Sequence, residues 1–292
     1  MIFYAMQIAA ILSDYDGTLS PITYSDNRNA KDDHRNQMQL DRVLWEIASK
    51  RTIGIVSTKD FNFLHDRTRF ANIISCMMSI ETMILKHTYS SGCYNNSCVQ
   101  ESTLNANFEI LRKNSQKLES VIDRFSLKIK NVSIYRKLTY KPSLLAGVTI
   151  DWRHLDDWNS IKKKIEEDVL RISKEINNRP KYPLFVQTYS SHPFIDIYST
   201  ICSKETAYDN ICKTNLISNV TKSKDKNILY LGDSENDNPA FRKADLSIGV
   251  KSDERLNPKL DCQYLINFNQ LPTFLMNLLK NDFNFSEKLL KK

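Results

Sequence analysis

Two short acidic stretches carry the residue types that chemistry needs. Asp14-Tyr15-Asp16-Gly17-Thr18 and Gly232-Asp233-Ser234-Glu235-Asn236-Asp237 hold two of the six glycines in the chain. Each directly follows an apolar run, residues 7 to 13 and 227 to 231, that reads as a buried parallel strand. In open α/β sheets, sites form at the carboxyl ends of the strands. Two acidic loops there would bring three or four carboxylates within a few ångströms of one another. Their repulsion is costly unless a cation sits among them, and an all-oxygen donor set favours Mg²⁺. A lone Asp-Gly pair is ordinary turn chemistry. Two such clusters, each after an apolar strand, point to a site.

The elements that must position these residues are legible in outline. Leu40, Val43, Leu44, Ile47 and Ala48 recur at helical spacing, and residues 52 to 57 read as a second buried strand. Strand, helix, strand predicts a parallel α/β sheet. The middle of the chain differs. Leu104, Phe108, Leu111, Leu118, Val121, Ile122 and Phe125 predict one amphipathic helix. Leu155, Trp158, Ile161, Ile165, Val169, Ile172 and Ile176 predict another. Strand-like runs lie at 132 to 140, 146 to 153, 184 to 189 and 194 to 199. The α/β rhythm then returns, with Ser203 capping a helix, strands at 227 to 231, 246 to 250 and 262 to 266, and Pro272 opening a last helix. The expected architecture is a Rossmann-like α/β core of residues 1–85 and 193–292, with an α+β module of residues 86–192 inserted into it.

Composition excludes several classes. Of the 292 residues, 41% are hydrophobic and 26% charged, which is enough apolar material for packed cores and rules out disorder as the main state. No stretch reaches the ~18 apolar residues of a membrane helix. The apolar start lacks a basic flank and a cleavage site, so a cytoplasmic protein is expected, with Met6 a second candidate for its first residue. Cys76, Cys93, Cys98, Cys202, Cys212 and Cys262 form no CxxC pair and are read as free thiols. The net charge of +7 equals the balance of residues 112–141 alone, with nine basic and two acidic side chains. That segment reads as a solvated lysine-rich face or as one that attracts an anion.

With these residues in place, the chain resembles the haloacid dehalogenase (HAD) superfamily of phosphotransferases. The first family motif, a strand followed by DxDGT, is met by ILSDYDGTL. The second, a strand ending in Ser or Thr, is met at Ser57, the third, a Lys at a helix start, at Lys204, and the fourth by LYLGDSENDNPAF. The spacing of 147 from Ser57 to Lys204 resembles the subclass with a large α/β cap between motifs two and three. The resemblance implies Asp14 as nucleophile and Asp16 as general acid and base. It implies Ser57 and Lys204 as phosphate ligands. It also implies Mg²⁺ held by Asp14, the Asp16 backbone carbonyl, Asp233 and Asp237, the last directly or through waters.

Within the superfamily, DYDGTLSPI is similar to trehalose-6-phosphate phosphatases, and GDSENDNPAF to phosphatases of sucrose-phosphate and mannosyl-3-phosphoglycerate. Glu81 matches the acidic residue of a further stretch of the trehalose group. The implied partner is a phosphorylated sugar, without a membrane, and a monomer is expected. The cap is expected to set specificity, with Lys141 and Arg153 as candidate substrate residues and Tyr140, Trp152 and Trp158 as rings on which a sugar could stack. Two alternatives stand beside this reading: a phosphosugar mutase of the same superfamily, and a non-enzymatic nucleic-acid-binding protein using residues 112–141, with Phe125, Tyr135 and Tyr140 interleaved. An acidic site would repel phosphate backbones, which weighs against the second.

Overall fold

The structure, a computed structural model, describes residues 6–21, 30–90, 93–128, 132–155, 157–177, 182–190, 192–219, 226–252 and 258–290. Residues 1–5 and Lys130 lie outside these, and so do the side chains of Cys93 and Lys128.

The first part of the chain forms β1 (Met6–Ser13), α1 (Ala30–Ala48), β2 (Thr52–Val56), α2 (Phe61–Leu64), β3 (Ile73–Cys76), β4 (Glu81–Ser90) and β5 (Cys93–Leu104). The middle forms α3 (Phe108–Lys128), β6 (Ser133–Leu138), β7 (Leu145–Asp151), α4 (Trp158–Ile176), β8 (Phe185–Thr188) and β9 (Phe194–Tyr198). The last part forms α5 (Lys204–Lys213), α6 (Asn215–Ser218), β10 (Lys226–Gly232), α7 (Asn238–Phe241), β11 (Leu246–Lys251), β12 (Tyr264–Asn267), α8 (Leu271–Lys280) and β13 (Asn284–Phe285).

Nine strands make one sheet in the order β12-β11-β10-β1-β2-β3-β4-β5, with β13 paired to β1. The six from β12 to β3 run parallel, while β4, β5 and β13 are antiparallel to their neighbours. Central strands of such a sheet are covered on both faces and read as continuous apolar runs. Ile8 and Ile11 of β1 enter one buried cluster with α1 and α8, while Ala10 and Leu12 enter another with α5. The middle of the chain builds a separate antiparallel sheet, β6-β7-β9-β8. The predicted amphipathic faces of α3 and α4 cover it, with Leu118, Val121, Phe125, Ile165, Val169 and Ile172 buried against Val148, Ile150 and Ile197.

Sheet membership moves both expected boundaries. β5 continues the long sheet, although residues 86–192 were expected in the insert, and β9 lies in the four-stranded sheet, although residues from 193 were expected in the core. An antiparallel strand with alternating side chains looks the same in sequence whichever sheet it joins. We therefore place the division near residues 105 and 200.

The topology sets the site. β1 lies between β2 and β10, with Ser13 level with Ile55 and Leu231. The loops that begin at Asp14, Ser57 and Asp233 thus leave neighbouring strands at one edge of the sheet. Among the described residues, no helix is long and apolar enough to cross a membrane.

Candidate active site

Asp14 continues the β1 ladder, its N–H bonded to the Leu231 carbonyl at 2.9 Å. The next turn needs Gly17, whose φ is +85°. A Cβ there would stand 2.0 Å from Oδ2 of Asp233. The backbone of the first acidic loop therefore lies against the carboxylate of the second. Thr18 Oγ1 donates to Asp233 Oδ1 at 3.3 Å. Gly232 does the same for the fourth residue of the cluster, since a Cβ there would meet Cγ of Asp237 at 2.4 Å.

Lys204 enters from a third segment. Ser203 caps α5, accepting from Thr206 N at 3.1 Å, so Lys204 is the first helical residue. A cation there opposes the helix dipole by about 0.3–1 kcal/mol. Two carboxylates offset it: Nζ lies 3.0 Å from Asp14 Oδ2 and 2.6 Å from Asp237 Oδ1. Burial works against the ammonium, yet Asp14 and Asp237 hold its pKa above the ordinary lysine value.

Asp14, Asp233 and Asp237 are all buried, and each offers an oxygen within 4.8 Å of the others. Burial raises the pKa of Asp14 above the usual carboxylate range, opposed by Lys204 and reinforced by Asp237 and Asp16. Burial and the Asp14 charge push Asp233 up in the same way. Carboxylates held so close resist ionisation until a cation joins them. The donor set is oxygen only, which suits a hard divalent ion. The three carboxylates are not equivalent. Asp237 Oδ1 already accepts from Lys204 and from Tyr230 OH at 2.7 Å. Its Oδ2 accepts from Asp233 N at 3.2 Å and from Ser234 N and Oγ at 3.1 Å each. Asp237 thus organises the loop and Lys204, while Asp14 and Asp233 keep the oxygens best able to hold a metal.

Asp14, Asp16, Lys204, Asp233 and Arg153 all line one cavity of about 280 Å³ between the two sheets. Ser57 sits beneath it, buried at the end of β2, its Oγ accepting from Lys59 N at 3.2 Å. The Ser57 hydroxyl proton is therefore left for another acceptor. Arg153 donates from Nε to Asp151 Oδ2 at 2.7 Å. Lys141 goes elsewhere: it is exposed on the β6–β7 loop, 4.9 Å from its neighbour Tyr140's ring, and does not line the cavity. The expected sugar-stacking rings also turn away. Trp152 is wholly buried among the insert's apolar residues and Tyr140 packs edge-on to Phe61 at 5.0 Å, so both rings are spent on core packing.

Sequence reasoning missed Lys59, Tyr189, His192 and Phe194, which line the same cavity. Lys59 stands 3.6 Å from Asp16 Oδ2. Its position two residues after Ser57 was the available signal. The other three come from the end of β8 and the start of β9, where alternation marks a strand and nothing marks a site. Nor does the basic segment form one open face. Lys137 is buried and paired with Asp196 at 2.6 Å, Arg136 pairs with Glu119 at 2.5 Å, and Arg124 with Glu175 at 3.4 Å.

The haloacid dehalogenase-like hydrolase family model matches residues 11–257. The chain belongs to that family of hydrolases. No curated protein sequence matches the chain. Among solved structures, the C-terminal domain of the C. albicans trehalose-6-phosphate phosphatase is similar, with 18% identity and a TM-score of 0.63 over 93% of each chain. A trehalose-6-phosphate phosphatase related protein has 15% identity and a TM-score of 0.59 over 93% of this chain and 97% of that one. A HAD subclass IIB sugar phosphatase has 13% identity and a TM-score of 0.52 over 94% and 99%. These likenesses carry the two-part architecture.

Gly17→Ala tests how tightly the two acidic loops are fitted. The left-handed φ would cost about 1–3 kcal/mol, and the new methyl would displace Asp233. Hydrolase activity is expected to fall ~100-fold, as for an active-site displacement of about 1 Å. Steady-state assay with thermal melting, each with and without Mg²⁺, separates the two effects. An unchanged Mg²⁺ response would show that the loops are not in contact.

Proposed function

We propose that the chain is a Mg²⁺-dependent phosphatase acting on a phosphorylated sugar through an aspartyl-phosphate on Asp14. The observation that carries this reading is the convergence of Asp14, Lys204, Asp233 and Asp237 from distant segments, with Lys204 Nζ only 3.0 Å from an Asp14 oxygen. Asp14 attacks phosphorus, the bond to the leaving oxygen breaks, and Asp16 gives that oxygen its proton. Asp16, now ionised, takes a proton from water as the water attacks phosphorus and frees Asp14. Lys204 stabilises negative charge on the phosphoryl oxygens, and Ser57 donates its hydroxyl hydrogen to one of them. Asp14, the Asp16 carbonyl and Asp233 would hold Mg²⁺, with Asp237 fixing their arrangement, and the ion would supply charge neutralisation for an anionic nucleophile meeting an anionic substrate.

Support for a sugar comes from the insert, which acts as a cap. Arg153, Tyr189, His192 and Phe194 face the cavity from above, offering polar contacts and ring faces for a polyhydroxylated leaving group. The similar solved structures named for trehalose-6-phosphate and sugar phosphatases agree with that choice. Ion pairs of Arg124, Arg136 and Lys137 with Glu175, Glu119 and Asp196 take three of the nine basic residues of 112–141 out of a nucleic-acid-binding face.

The test has two parts. EDTA is expected to stop hydrolysis of p-nitrophenyl phosphate, and Mg²⁺ to restore it. A panel including trehalose-6-phosphate, sucrose-6-phosphate and mannosyl-3-phosphoglycerate, scored by phosphate release, is expected to contain at least one sugar phosphate preferred over the small ester. Full activity in EDTA would remove the metal from the reading. Release from the small ester alone would remove the sugar.

A further inference from the structure

Between β3 and β4 the backbone does something costly. Met77, Met78 and Ser79 have φ of +50°, +52° and +97°. Three successive non-glycine residues in the left-handed region are strained, and such strain persists only where the surroundings over-determine it. Here they do. Met77 N donates to the Lys59 carbonyl and Met78 N to the Ser57 carbonyl, each at 2.9 Å. From the other side, Asn105 Nδ2 donates to the Ser79 carbonyl at 2.9 Å and Asn105 N to the Ile80 carbonyl at 2.9 Å.

The turn delivers Glu81, which is 1% exposed. Among the described residues, no cation lies within ion-pair distance of it. Instead the Tyr140 N–H stands 3.0 Å from both of its carboxylate oxygens. Tyr140 sits at the tip of the β6–β7 hairpin, which belongs to the cap. A second core carboxylate grips the same hairpin: Asp60 Oδ2 accepts from Leu138 N at 3.0 Å, while its Oδ1 caps α2. Burial pushes the Glu81 carboxyl up to about 7 against the backbone N–H groups that lower it. A buried carboxylate whose partners are backbone N–H groups of the other domain is an expensive contact for packing alone.

We propose that Glu81 is the positioning residue that docks the cap over the phosphoryl site, and that the strained turn is the rigid mount that aims it. The inference rests on the phosphatase reading for its kinetic consequence only. With the contact weakened, the cap residues Arg153, Tyr189 and His192 lose their fixed height above Asp14. A substrate whose leaving group needs those residues suffers, and one with a small leaving group does not.

Two variants test it in the full chain. Glu81→Gln keeps the shape but replaces the charged acceptor. Glu81→Ala removes both oxygens. Amide hydrogen exchange at residues 138–141 is expected to quicken about tenfold in Glu81→Gln, with β7 unchanged as the internal control. KM for the preferred sugar phosphate rises about tenfold, kcat changes less, and p-nitrophenyl phosphate hydrolysis stays within about twofold of wild type. Glu81→Ala shows the same pattern more strongly. Unchanged exchange at 138–141 in Glu81→Gln overturns the proposal, and so does an equal loss on both substrates. If the wild type releases phosphate from no sugar phosphate, the substrate reading fails, and the exchange experiment still decides the role of Glu81.

Discussion

Asp14→Asn is expected to abolish turnover while the fold survives. The amide is isosteric with the carboxylate but cannot form the aspartyl-phosphate, and loss of a nucleophile costs ~10⁴-fold or more. The electrostatics predict a second, opposite effect. Asp14, Asp233 and Asp237 crowd three carboxyl groups around the Lys204 ammonium. Removing one relieves repulsion, so metal-free Asp14→Asn is expected to melt at or above the wild-type temperature. The same change removes a metal ligand, so added Mg²⁺ should raise the melting temperature less than it does for wild type. Rates of phosphate release, with melting curves in EDTA and in Mg²⁺, measure both. Substantial turnover would transfer the nucleophile to another residue. A lower melting temperature in EDTA would mean that the Asp14–Lys204 pair outweighs the carboxylate repulsion.

The meeting of the two acidic loops was legible in the sequence. Asp14 and Asp233 follow uninterrupted apolar strands, and that arrangement is visible without coordinates. Lys204 was placed at a helix start by the Ser203 cap, and its proposed role came from the family resemblance. The antiparallel parts were harder. The boundaries expected at 86 and 192 cut off β5 from the long sheet and β9 from the four-stranded one, because residue pattern records which face is buried and says nothing about the neighbouring strand. Lys141 and Arg153 look alike in sequence, as basic residues beside cap strands. Only the path of the β6–β7 loop, drawn toward Glu81, sends the first into solvent while Arg153 lines the cavity. The strained turn at Met77–Ser79 left no trace in residue type, since it contains no glycine or asparagine to mark its positive φ. Its conformation is imposed by hydrogen bonds from both flanks, which are tertiary facts.

Lys204→Met separates the structural and chemical roles of the buried cation. The Lys204 side chain is 1% exposed and spans two carboxylates whose own exposures are 9% and 0%. Removing one partner of a buried ion pair leaves the other charge uncompensated, at a cost of about 3–5 kcal/mol. Methionine fills the space of the aliphatic stem, so the loss reports charge and not a cavity. Asp14, whose pKa burial already raises, then meets that cost by taking up a proton or a metal. The variant is expected to melt well below wild type in EDTA at neutral pH and to recover part of the difference with saturating Mg²⁺. Activity behaves differently. Charge stabilisation aimed at the phosphoryl oxygens is worth about 10²–10³-fold, and a metal held by Asp14 and Asp233 would not supply the hydrogen-bond donor lost with Nζ. Mg²⁺ should therefore restore stability in Lys204→Met without restoring kcat. Recovery of both together would reduce Lys204 to a counter-ion for the buried carboxylates. Loss of kcat with no loss of stability would mean that the carboxylates share a proton at neutral pH and that the lysine serves the transferring phosphate alone.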